Sequence, residues 1–73
     1  MDKKKFLKLL TEIFETNDKI NEKTKLSKYN YDSLAVLELI IVQEKHFKKL
    51  NIDTDKYLQC QSVGDILKLF KIE

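Results

Sequence analysis

Seventy-three residues, 42% of them hydrophobic and 36% charged, make one small domain spanning residues 1–73, because a chain this short buries only about 60% of the surface it exposes when unfolded. A single Cys rules out an internal disulfide, one Cys and one His are too few for a zinc-type cluster, and stability must therefore come from side-chain packing. Fourteen Lys, no Arg and twelve acidic residues leave a net charge of +2, too close to balance to point to nucleic acid, while zero Pro and one Gly favour an all-α chain.

The longest uninterrupted apolar run, Leu39 to Val42, falls far short of the roughly 20 residues that span a bilayer, so no stable membrane insertion is expected. The opening Met-Asp-Lys-Lys-Lys-Phe lacks a signal-peptide core, and the expected location is the cytoplasm.

In chain order, Phe6, Leu7, Leu10, Ile13 and Phe14 repeat at the spacing of one helical stripe, and Asp2 stands where a cap is needed. The spacing predicts a first helix over residues 3–15, with Lys3, Lys4, Lys5 and Lys8 as a solvated face. From Thr16 to Tyr31 periodicity lapses into a long loop, in which Ile20, Leu26, Tyr29 and Tyr31 are the predicted anchors to the core. Structureless connections of this length are uncommon in compact domains and often functional. A second helix is predicted over residues 33–48, with Leu34, Leu37, Ile40, Ile41 and Phe47 as its wide apolar face and Val36, Leu39 and Val42 as additional apolar surface outside it. Such a helix should sit centrally and touch more than one neighbour, or turn part of its surface to a partner.

A brief helix over Asp53 to Leu58 follows, with few apolar residues. The closing helix is predicted over residues 62–71, where Ser62 and Asp65 have capping-box spacing and Val63, Ile66, Leu67 and Phe70 repeat at i, i+3, i+4 and i+7. Gly64 falls in its first turn, where a Gly is tolerated. The fold expected is a small bundle of three main helices and one short one, with a core of Phe6, Leu10, Ile13, Leu37, Ile40, Phe47, Val63, Ile66, Leu67 and Phe70. A hydrophobic space is expected among these helices.

The informative junction is Tyr31-Asp32-Ser33-Leu34, which sets a hydroxyl in the first turn of the central helix behind a carboxylate. On its own, an Asp-Ser pair before a helix is an ordinary cap. The longer stretch Leu26-Ser27-Lys28-Tyr29-Asn30-Tyr31-Asp32-Ser33-Leu34 resembles the acyl carrier protein pattern Leu-Ser-x-Leu-Gly-x-Asp-Ser-Leu, and Leu37-Glu38-Leu39, Glu44 and Phe47 continue it. Cys60-Gln61-Ser62-Val63 is similar to the family's Ile-x-Thr-Val before its last helix, with one extra residue in the linker after Phe47.

That resemblance covers nearly the whole chain. It implies a carrier-type bundle in which Ser33 receives a 4′-phosphopantetheine arm from coenzyme A through a phosphopantetheinyl transferase, with Asp32 serving transferase recognition and local capping. Acyl groups would ride on the arm as thioesters and be presented to acyl-transferring or acyl-activating enzymes by a monomer that is not itself an enzyme. Leu34, Leu37, Glu38, Ile41 and Glu44 would form the partner-docking surface; Leu34 and Ile41 fit either core or docking, and the resemblance favours docking.

Asn30 stands where the family usually has Gly, and Asn readily adopts the positive φ such a turn uses. Tyr29 stands for the usual Leu, and Ala35, Lys45 and His46 occupy positions often acidic in the family. Together with a pI near 8.6 this points to a dedicated pathway rather than general fatty-acid synthesis.

Competing readings are weaker. Ser33 and Asp32 cannot form a triad with His46 if one helix runs between them, since thirteen residues span about 20 Å. Cys60 falls at an aliphatic position and is expected to pack as a small hydrophobe. A Lys-rich first helix lying on anionic lipid is diluted by Thr11, Glu12 and Glu15, and a helix-turn-helix lacks its Gly-containing turn. The alternative from another class is an unmodified helical interaction module that docks through the central helix.

Overall fold

The computed structural model describes residues 2–72: four helices, α1 (Lys3–Ile13), α2 (Ser33–His46), α3 (Thr54–Gln59) and α4 (Val63–Leu69), with a 3₁₀ turn at Leu26–Lys28 in the long α1–α2 connection. Among the described residues there is no strand, and one antiparallel bridge pairs Lys25 with Ser62. The arrangement is the helical bundle that composition and periodicity predict.

Local sequence explains each helix start. Asp2 accepts from Lys5 N at 2.8 Å, Asp32 accepts from Leu34 N and Ala35 N at 3.1 and 3.2 Å, and Ser62 with Asp65 forms a complete capping box. The ends are less legible. α1 stops at Ile13 and α4 at Leu69, about two residues before the predicted ends, because Glu15 (φ 53°) and Lys71 (φ 57°) turn left-handed just beyond the caps. Thr16 N then donates to Thr11 O at 3.0 Å and Ile72 N to Leu67 O at 2.9 Å, the six-to-one bond of a Schellman ending. That conformation favours Gly, and neither position has one.

The core is built on rings. Phe6 and Phe70 lie 4.9 Å apart, Phe47 and Phe70 5.0 Å, and Tyr57 and Phe70 6.0 Å between centroids. Phe6, Leu10, Leu26, Leu39, Tyr57, Val63, Ile66 and Phe70 are essentially sealed from solvent. Ile13, Ile40 and Phe47 pack against this core half-buried. Leu37 does not join it: the residue is 53% exposed.

α2 is therefore turned from its predicted orientation. Ala35, Val36, Leu39 and Val42 face inward, and the expected main face shows Leu34 at 69% and Ile41 at 43% exposure. Apolar residues stand on both faces, and Glu38, Glu44 and Lys45, expected as the polar face, are exposed together with Leu34, Leu37 and Ile41. α3 is the short, mostly polar helix expected, and it puts Tyr57, which the sequence did not single out, into the centre, in contact with α2 and α4. The Tyr57 hydroxyl donates to Gln43 Oε1 at 2.7 Å and Gln43 Nε2 donates to Leu50 O at 2.8 Å, while Tyr31 Oη donates to Tyr57 O. Among the described residues no buried side-chain polar atom lacks a partner.

The long connection is held against α4. Val63 N donates to Thr24 O and Gly64 N to Glu22 O, so loop carbonyls meet N–H groups at the start of a helix, which lack intrahelical partners, and the loop's Leu26 N donates in return to Gln61 O, each at 2.9 Å. A Cβ on Gly64 would lie 2.8 Å from Glu22 O. Gly64 is thus required by close approach, beyond the mere tolerance its first-turn position suggests. Ile20 and Leu26 are buried as expected, and Tyr29 and Tyr31 are half-buried.

Candidate functional site

Ser33 opens α2 at the first helical position and is exposed. Because Asp32 takes the capping bonds, the Ser33 hydroxyl is not needed as a cap. The turn before it is made without positive φ at Asn30: Tyr31 N donates to Tyr29 O at 2.9 Å, an i→i+2 turn centred on Asn30, and the left-handed conformation expected there is absent. Tyr31 fixes one side of this turn through Tyr57. Tyr29 fixes the other by stacking on Phe14, with ring centroids 5.0 Å apart and planes 4° from parallel.

Beside Ser33 an open groove of about 570 Å³ runs between the end of α1, the 28–30 loop and α2. Asp32, Leu34, Leu37, Glu38 and Ile41, five of the seven predicted site residues, line it together. Glu44 is exposed further along α2, outside that lining. Ala35, at a position often acidic in carriers, is buried at the groove floor, whereas Lys45 and His46 are exposed.

The opposite wall, Ile13, Phe14, Lys28 and Tyr29, was not legible as part of a site. Phe14 reads as the end of a core stripe and Tyr29 as an anchor; the signal for a wall is only that two aromatics flank a loop whose fold brings them together. Lys28 Nζ stands 3.8 Å from Asp18 Oδ2 and 5.9 Å from the Tyr29 ring centre. The Tyr29 hydroxyl, donating to Asp18 Oδ2 at 2.9 Å, is the main cause holding the Asp18 carboxyl below its ordinary range, with Thr16 and Lys28 adding to it. Burial and the same carboxylate push the Tyr29 phenol up.

Nucleophilic chemistry finds little purchase. Ser33 and His46 are opposite ends of one continuous helix, about 20 Å apart along its axis. Burial, helped by nearby Asp65, pushes the Cys60 thiol up to about 11, so it stays protonated at neutral pH, and it is half-buried against the core. Burial likewise raises the Tyr57 phenol to about 12. Among the described residues no three His, Cys, Asp or Glu side chains come together as a metal site, and no helix is long and apolar enough to cross a membrane.

Compared with known proteins, the chain matches no family model, no curated protein and no solved structure.

Proposed function

We propose that this chain is an acyl-carrier-type protein that bears a 4′-phosphopantetheine arm on Ser33, donated from coenzyme A by a phosphopantetheinyl transferase. The observation that carries the reading is an exposed hydroxyl in the first turn of α2, relieved of capping by Asp32 and followed on the same side by exposed Leu34, Leu37 and Ile41. The hydroxyl is accessible for attack on the pantetheine-side phosphorus of coenzyme A, forming the Ser33 Oγ–P bond as the pyrophosphate bridge breaks and adenosine 3′,5′-bisphosphate leaves, with the hydroxyl proton taken by a base of the transferase, and the rigid helix behind it gives that enzyme a fixed surface. Asp32 already occupies the N–H groups of Leu34 and Ala35, so a phosphodiester on Ser33 draws on the helix dipole, about 0.3 to 1 kcal/mol at an exposed position. Asp32 would orient the loop for the transferase through this cap.

In this reading Leu34, Leu37, Glu38, Ile41 and Glu44 meet acyl-transferring or acyl-activating enzymes, the three apolar side chains supplying contact area and the two carboxylates register. The mixed charge of α2, with Lys45 and His46 at its end, supports partners of a dedicated pathway. The protein itself performs no chemistry; the arm's thiol does.

Incubation with coenzyme A, magnesium and a broad-specificity transferase, followed by intact mass measurement, should show one added arm on the wild type and none on Ser33→Ala. The exposed apolar ridge equally supports an unmodified module that docks through α2. A wild-type mass that stays unchanged with every competent transferase favours that second reading and removes the first.

A further inference from the structure

We propose that the end of the bundle opposite Ser33 is a lysine surface that docks the protein, without insertion, on anionic lipid headgroups. The net charge of +2 conceals an uneven distribution. Phe6, in the first turn of α1, and Phe47, at the end of α2, meet edge to face with ring centroids 6.3 Å apart, and both pack on Phe70. The start of α1 and the end of α2 therefore share one end of the molecule. Lys4, Lys5 and Lys8 project there from one face of α1, and Lys45, Lys48 and Lys49 flank Phe47; all six are exposed. Within residues 2–8 and 44–49 the acidic residues are Asp2, which caps α1, and Glu44. The ion pairs among the described residues, Lys3–Glu22 and Lys28–Asp18, engage none of the six.

Folding does not call for all of these charges. The first turn of α1 holds no acidic residue, and lysines there oppose the helix dipole. Side-chain chemistry selects the occupant. The large apolar side chains open to solvent, Leu34, Leu37, Ile41 and Leu58, belong to the α2 ridge and α3, so the lysine end lacks the aromatic or Arg anchors around which protein interfaces are built. With no Arg and no fully exposed ring, it also lacks the bidentate and stacking contacts that hold nucleic acid. Compact ammonium charges spread over a surface are what a layer of anionic headgroups attracts. The contact differs from an α1 helix laid on lipid by its apolar face, since Phe6 and Leu10 are sealed in the core. It is made by two segments distant in the chain. α2 holds Ser33 about 20 Å along its axis from His46, so the serine stays clear of the lipid. The inference stands whether or not Ser33 bears an arm.

The test is co-sedimentation of the full chain with phosphatidylcholine vesicles made with or without phosphatidylglycerol. Binding is expected at low salt when phosphatidylglycerol is present, absent on phosphatidylcholine alone, and lost at roughly 1 M salt, where the screening length is about 3 Å. A lysine near such a surface contributes about fivefold in affinity, so Lys4→Gln with Lys5→Gln, and Lys48→Gln with Lys49→Gln, should each weaken binding by about twenty-five-fold. Lys23→Gln with Lys25→Gln removes the same charge beside the start of α4, where Thr24 O accepts from Val63 N, and should change binding by less than about twofold. All six substituted positions are exposed, so the fold is expected to be intact in each variant. No binding at low salt, unchanged binding in the first two variants, or equal losses in all three overturns the proposal. Tighter binding to a short random-sequence DNA duplex than to the anionic vesicles at matched salt would assign the lysines to nucleic acid and overturn it as well.

Discussion

α1 and α2 line the same core, yet they divide their surfaces in different ways. α1 places Phe6 and Leu10 inside and Lys4, Lys5, Lys8 and Glu12 outside, so residue type and exposure coincide around the helix. α2 has apolar side chains on nearly every side, burying Ala35, Val36, Leu39 and Val42 while Leu34, Leu37 and Ile41 stay in solvent. A four-helix domain of 73 residues does not supply enough neighbours to cover both faces. The ridge is thus left uncovered by the described helices, and beside an available hydroxyl it supports the proposed docking of a partner.

The widest separation between the two α2 faces should come from truncation. Leu39→Ala, at a fully buried position, is expected to cost about 2–5 kcal/mol, whereas Leu37→Ala should stay within about 0.5 kcal/mol in urea unfolding. Equal losses would mean that the ridge is part of the core and that α1 and α2 do not differ.

Next in size is Gly64→Ala. The new methyl meets the Glu22 carbonyl at 2.8 Å, and forcing the loop from α4 should cost about 1–3 kcal/mol, read as a lower urea midpoint with an unchanged slope. A neutral outcome would show that the long connection is not fastened to α4.

Glu15→Gly should move stability the other way, by about 1 kcal/mol or somewhat more, since it relieves a left-handed residue at the end of α1. Lys71→Gly should do the same at the end of α4. No gain at either would mean that these helix ends are not strained.

The smallest effect is a pH dependence. Asp65 is held below its ordinary value of 3.8 first by the Gln61 N–H and then by Ser62, and Asp18 chiefly by the Tyr29 hydroxyl. Both folded values are depressed, so these groups favour the folded state above the ordinary value, and their contribution fades as pH falls through the folded values. The thermal midpoint should accordingly drop below about pH 4, and Asp65→Asn should flatten part of that drop. An Asp65→Asn profile identical to wild type would remove the capping box from the account.

Much of the fold was legible because its signals are local. Asp2, Asp32 and the Ser62–Asp65 pair cap the helices they precede, and the stripe of α4 buries all four residues it names, while that of α1 buries Phe6 and Leu10 and leaves Leu7, Ile13 and Phe14 half-buried. Helix ends were harder, since Glu15 and Lys71 do what a Gly would have announced. Leu37 was misplaced and Tyr57 overlooked for related reasons: one belongs to a helix with apolar residues on both faces, the other to a segment of six residues with too few apolar positions to show a period.

The candidate site divides likewise. Ser33, Asp32 and the α2 ridge could be named in sequence, but Phe14, Lys28 and Tyr29 join them only through the path of the connection.

The amino-acid order settled what each segment does alone: four helical segments, the places where three of them begin, and a serine in the first turn of the second. Propensity, capping and periodicity act over a few residues and need no knowledge of the rest of the chain. Which side of α2 faces inward, that Tyr57 fills the centre, and that an aromatic wall stands opposite Leu34 and Ile41 were decided in the assembled bundle. Each of these depends on space left or taken by residues far away in the chain, and close packing assigns it only when all of them are in place.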